Sequence, residues 1–228
     1  MSEIDFTPFL LSFKLSAVTT LILFIIALPF SWWLSQTTTK IKPFLEAVTA
    51  LPIVLPPSVL GFYILWALSP NSSLGAFFEN TFGIKLVFNF TGLVIASCFY
   101  SLPFMIQPLQ SGFESLNKNM IEASYIAGKG KVKTLLKVAL PNIKPALLTA
   151  VIMTFAHTIG EFGVVLMVGG SIEGETKVAS VAIYEMVETM DYKTAHIYSA
   201  IMIVISFIVL VSVYIFNRQQ NKKYGKFL

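Results

Sequence analysis

Five apolar runs, at about 11–34, 44–68, 92–109, 146–168 and 197–216, are each long enough to cross a bilayer, which takes roughly 20 residues. Hydrophobic residues make up 55% of the chain and charged ones only 12%, about half the charged share of a soluble domain. A soluble chain of 228 residues could not hide that much apolar surface. The runs therefore predict an all-α membrane protein with about five transmembrane helices. The first is no cleavable leader: its flank "MSEIDFTPF" has two acids and no early positive charge, and the run exceeds a leader's apolar stretch. A lone cysteine, Cys98, excludes an internal disulfide framework. The net charge of +4 is modest, and in a membrane chain the distribution of lysines matters more than the total; no nucleic-acid partner is expected.

The second run contains "LPIVLPPSVLGF", with Pro52, Pro56 and Pro57 inside it. Proline removes a backbone donor and clashes with the preceding turn. In lipid, such a break survives only where protein or a water-lined cavity satisfies the freed carbonyls. This segment is expected to face other helices or a pathway.

Basic residues set the orientation. With the tail "NRQQNKKYGKFL" in the cytoplasm, five spans put the N-terminus outside. Of the 16 lysines and arginines, only Lys14, Lys85, Lys177 and Lys193 then fall on the outer side, the asymmetry of an inner-membrane protein. The charged stretch "EASYIAGKGKVKTLLKVALP" is thereby cytoplasmic. Residues 121–127 read as a short helix with Asn117 or Asn119 as N-cap. Gly128 and Gly130 permit a sharp turn that a side chain would obstruct. A second helix follows, with Val132, Leu135, Leu136, Val138, Ala139 and Leu140 at helical spacing, until Pro141 stops it. The pattern suits either a helix lying among lipid headgroups or a protein-docking element.

That stretch resembles the loop shared by permease subunits of bacterial ABC importers, E-A-A-x3-G-x9-I-x-L-P. Glu122, Ala123, Ser124, Gly128, Val138, Leu140 and Pro141 fill its places, with Ser124 for alanine and Val138 for isoleucine. The resemblance runs from about residue 11 to 216. Together with "LPIVLPPSVLGF", the stretch "IGEFGVVLMVGGSIEGET" is similar to the branch that moves molybdate, tungstate and sulfate, and most like the molybdate permeases. It implies a single transmembrane permease domain over 1–228, with a cytoplasmic helix-turn-helix coupling loop at about 111–145. It further implies a homodimer of permease chains, two cytoplasmic ATPase subunits that bind ATP and magnesium, and a periplasmic or lipid-anchored oxyanion-binding protein.

The chain itself carries no nucleotide site, because "AGKGKVKT" lacks a serine or threonine directly after Gly-Lys. No cofactor, metal or catalytic residue is expected in it. His157 and His196 fall on different segments without a cysteine cluster, and packing suits them better than metal binding. No nucleophile-elbow pattern occurs. A transport subunit, not an enzyme, is the expectation.

Pro56, Pro57 and Ser58 are candidates for lining the path, because broken backbone exposes donors suited to an oxyanion; a purely structural kink is the alternative. Glu161, flanked by Gly160 and Gly163, is costly in a membrane unless paired, protonated or wet. Since a bare negative charge repels a dianion, helix packing or gate support competes with a direct pathway role. The outer segment 169–196 includes an amphipathic stretch with Val178, Val181, Ile183, Tyr184 and Val187, suited to a docking surface or a lid. An ion-gradient-driven carrier is the competing class, but one intramembrane acid, no internal repeat and an unused docking loop speak against it. A membrane scaffold would not need the broken second segment.

Overall fold

The structure, a computed structural model, describes residues 4–224. Lys226 of the basic tail therefore lies outside the described residues. Twelve α-helices form them, α1 (Thr7–Gln36), α2 (Lys42–Val54), α3 (Pro57–Leu68), α4 (Ser73–Phe82), α5 (Phe90–Glu114), α6 (Lys118–Ile126), α7 (Lys131–Thr134), α8 (Leu140–Asn142), α9 (Lys144–Ile159), α10 (Gly163–Gly169), α11 (Ala179–Glu188) and α12 (Tyr192–Tyr224), with a π-helical turn at Leu135–Ala139.

Three helices, α1, α5 and the stretch Tyr192–Ser212 of α12, are long and apolar enough to span unbroken. The second expected span is bent, and the fourth is preceded by a bend. α2 and α3 meet at 111°, and the segment Lys131–Asn142 meets α9 at 83°. The fourth run itself breaks at residues 160–162, between α9 and α10. Hydropathy alone reads 44–68 and 146–168 as single runs, because Pro, Gly and Phe at the breaks stay apolar and a lone Glu161 does not interrupt a long apolar stretch.

The centre is built from α1, α5 and α9. Leu23, Ala27 and Trp32 of α1 pack with Met105, Ile106, Leu109 and Phe113 of α5 and with Ala150 of α9. Trp32 meets Phe113 edge-on at 5.0 Å between ring centres, the geometry favoured by opposed ring quadrupoles. The same cluster includes Ile121, Ala139 and Ile143, so the loop between α5 and α9 is seated on the helical core. Toward the other end, Leu11, Leu15, Leu93, Val94, Val165, Val178 and Val181 form a second cluster. The amphipathic stretch in 169–196 is thus no loose lid. α11 packs inward through Val181 and Ala182, leaving Tyr184 and Val187 exposed. Tyr198 of α12 closes this end by donating to the carbonyl of Asp5 at 2.6 Å.

Candidate functional site: a docking loop and two facing helix breaks

The loop between α5 and α9 is a two-helix unit. The Asn117 side chain accepts from the Asn119 amide at 2.9 Å, capping α6 and choosing between the two expected caps. At the other end Gly128 adopts φ +73°. The Lys129 amide reaches the Ser124 carbonyl at 3.1 Å and the Gly128 amide the Tyr125 carbonyl at 2.9 Å, the paired bonds of a Schellman stop. A β-carbon at Gly128 or Gly130 would meet nothing within 4 Å. The expected steric obstruction is therefore corrected: Gly128 is required by its left-handed backbone, not by crowding, and Gly130 is required by neither.

Ser124 and Thr134 tie the halves together, hydroxyl to hydroxyl at 2.9 Å, both buried. The alanine-to-serine departure thus supplies a buried link. Val138, Ala139 and Leu140 turn inward against the central cluster, and Asn142 Nδ2 donates to the Val138 carbonyl at 2.7 Å. The apolar face expected to be continuous is split by the π-helical turn. Leu135, Val138 and Ala139 face the core, while Val132 is 68% and Leu136 56% exposed. Tyr125 and Ile126, the latter 88% exposed, are also open on this loop, as are Glu122, Ala123, Lys131, Lys133, Lys137 and Pro141. Four apolar side chains on a short, internally pinned loop make a surface built to be covered.

The pathway candidates are brought together in space. Pro56 precedes α3 and Pro57 opens it, in a position that wastes no hydrogen bond because the first turn lacks partners anyway. The Pro56 carbonyl is used by the amides of Val59 and Leu60, at 3.0 and 3.2 Å. α3 packs on α10. A β-carbon on Gly163 would lie 2.9 Å from the Pro57 β-carbon, and one on Gly61 would lie 2.9 Å from that of Met167. The glycines let the two broken elements touch. Pro56, Pro57, Ser58 and Gly160 are exposed, whereas Glu161 is 3% exposed. The Ser97 hydroxyl faces the Glu161 carboxyl, but none of these oxygens completes a hydrogen bond of good geometry among the described residues. The Glu161 carbonyl accepts from Ser180 Oγ at 2.6 Å, holding the break against α11.

Sequence reasoning missed the seam beside this break. Ser101 Oγ lies 3.0 Å from His157 Nδ1 and 2.8 Å from Thr158 Oγ1, and His157 stacks on Phe104 at 3.9 Å. The serine spacing 97/101 on one helix face was the available signal. His157 has the packing role expected of it. No group of three or more metal-ligating side chains occurs among the described residues. On the outer segment, Thr176 Oγ1 donates to the Gly169 carbonyl at 2.8 Å and accepts from the Ile172 amide at 2.9 Å. Lys177 pairs with Glu185 at 2.5 Å. That hydrogen bond raises the Lys177 ammonium above its ordinary range. Burial alone would raise Glu185, but the bond and charge of Lys177 outweigh it and hold the carboxyl below its ordinary range.

Residues 9–226 match the family described as binding-protein-dependent transport system inner membrane component. The molybdenum transport system permease protein ModB of Azotobacter vinelandii is 42% identical over 94% of this chain and 95% of its own length. A putative molybdenum transport system permease, YvgM of Bacillus subtilis, is 32% identical over 90% of each. Among solved structures, a bacterial ABC transporter involved in importing the acidic polysaccharide alginate superposes with a TM-score of 0.78, at 14% identity, over 96% of this chain and 80% of that one. With the helix order, the two facing breaks and the pinned loop on hand, the chain belongs to the inner-membrane permease components of binding-protein-dependent transport systems.

Proposed function

We infer that this chain is the permease subunit of an ATP-binding-cassette importer for molybdate, with ATP hydrolysed by a separate subunit. The observation that carries the mechanism is the exposed patch of Tyr125, Ile126, Val132 and Leu136 on a loop pinned by Ser124 and Thr134. Glu122, Ala123, Ser124, Gly128, Val138, Leu140 and Pro141 shape that loop, which takes up the closure of an ATPase and passes it through Ile121, Ala139 and Ile143 to the central helices. The substrate class rests on the extent of likeness to the molybdenum permease above, which spans nearly the whole of both chains.

Transport follows from the two breaks. Pro57 meets Gly163 where α3 touches α10, with Pro56, Ser58, Gly160 and Glu161 close to them along the chain, and relative movement there opens or closes the path. Unlike a carboxylate aimed into the path, Glu161 is turned into the protein, so gate support fits it better than contact with a dianion. Few spans are available to enclose a path alone. A homodimer sharing one axis, formed through the exposed apolar side chains of α2 and α3 such as Phe44, Val54, Phe62 and Trp66, completes it. A single permease domain over 1–228 thus serves two ATPase subunits on the cytoplasmic side and an oxyanion-binding protein outside, with the N-terminus outside and the C-terminus in the cytoplasm.

Reconstitution tests the reading. In liposomes with its ATPase and oxyanion-binding protein, the complex accumulates molybdate only when ATP is supplied to the ATPase side. Uptake driven by a proton gradient without ATP contradicts it; preferred uptake of sulfate refutes the substrate alone.

A further inference from the structure

A polar cluster sits where α2 crosses the last turns of α5. Lys42 Nζ lies 2.8 Å from Glu114 Oε1 and 3.8 Å from Glu46 Oε1. Gln110 Nε2 donates to both acids, at 2.5 Å to Glu46 and 3.0 Å to Glu114. Two carboxylates from different helices thus share one ammonium and one amide. Exposed ion pairs contribute only about 0–1 kcal/mol each, and Glu114 is 42% exposed, so fold stability does not require the arrangement.

Its position suggests another use. Of α2, only Thr49 and Pro52 are buried, so the cluster is the main polar attachment of this helix to the core. Glu114 closes α5, and α6 of the pinned loop begins at Lys118. Glu114 also lines two hollows, one of which Lys42 shares and the other Gln110. One, of about 590 Å³, reaches Glu122 and Tyr125 of the loop; the other, of about 290 Å³, is lined by Glu46, Thr49 and Gln107. Space in both hollows allows the two helix ends to shift together. At its far end α2 runs into the 111° break, beyond which α3 is seated on α10 through Gly61 and Gly163.

We propose that Lys42, Glu46, Gln110 and Glu114 form a polar clasp that drags α2 with the docking loop, so that loop movement is delivered to the facing breaks. They are positioning residues, acting through α2 and not on the transported ion. The inference rests on the reading of the loop as the ATPase contact. A clasp of this kind works as a unit, so its members are non-additive when removed together.

The test uses the full complex in liposomes, reading both ATP hydrolysis and molybdate uptake. Lys42→Met and Glu114→Gln each lower the molybdate moved per ATP by about fivefold or more, while ATPase co-purification is unchanged. The double variant loses no more than either single one, and Lys42→Arg keeps the parental ratio. A parental ratio in Lys42→Met, or losses that multiply in the double variant, overturns the clasp. Failure of the unmodified chain to hold its ATPase refutes instead the reading of the loop on which the clasp depends.

Discussion

The hydroxyls of Ser124 and Thr134 meet at 2.9 Å in a buried site, joining the two helices of the loop between α5 and α9 across ten residues of sequence. This bond makes the loop a lever with its own stiffness. Removing one partner strands the other, which typically costs about 1–3 kcal/mol, whereas removing both is milder. Ser124→Ala and Thr134→Val should each speed amide exchange in α6, and the double variant should exchange more slowly than the sum of the two predicts. Independent, additive effects would mean that the pair does not pin the loop.

Gly163 and Pro57 offer a second check. A side chain at 163 has to displace α10 from α3, and overpacking of this kind costs about 1–3 kcal/mol. Gly163→Leu should lower the melting temperature in detergent and abolish transport, leaving the ATPase bound. Unchanged transport would separate the α3–α10 contact from gating.

Orientation is open to labelling. In a chain with Cys98 replaced, a cysteine at the exposed Glu173 should react with an impermeant reagent on intact cells, and one at the exposed Lys131 only after lysis. The reverse pattern would invert the topology.

The Lys177–Glu185 pair predicts a pH profile. Glu185 is held below its ordinary range, so its contribution is complete above roughly pH 4–5 and fades as pH falls through the folded value. Lys177 is raised, so its share is complete below its ordinary value near 10 and is lost as pH rises past the folded one. With Lys177 about a fifth exposed and Glu185 a third, the pair contributes at most about 1 kcal/mol. Melting of Lys177→Met should fall short of the parent by a constant margin from about pH 5 to 9, narrowing on acidification. A margin that widens in acid would contradict the assignment.

Much of this was legible in residues alone. Three of the five apolar runs as unbroken spans, an asparagine cap at 117 or 119 and the Gly128 turn follow from period, capping chemistry and backbone freedom, and the structure has them, with Asn117 as the cap. What stayed hidden depends on three-dimensional juxtaposition. Gly160 and Glu161 stand out in the sequence, but it does not place the break at 160–162, because the surrounding run 146–168 stays apolar enough to read as one span. The π-helical turn at Leu135–Ala139 is equally invisible, since nothing in its residues marks it off from an α-helix, yet within it Leu136 is exposed while Ala139 is buried. The clasp joins Lys42 to Glu114 across 72 positions; each has an i,i+4 partner on its own helix, which reads as ordinary surface charge. Pro57 against Gly163 could be suspected from the breaks but not paired without the fold.

The central claim is that the pinned loop is where ATP hydrolysis enters the membrane domain, and Gly128 tests it most directly. Its left-handed backbone disfavours any L side chain by roughly 1–2 kcal/mol, and the open space around it leaves a bulky side chain standing on the exposed patch. Gly128→Trp should insert, fold and pair as the parent does, yet lose stable ATPase association or substrate-stimulated hydrolysis, and with it transport in liposomes. If Gly128→Trp binds the ATPase and transports at the parental rate, the loop is an interfacial helix and not the coupling joint.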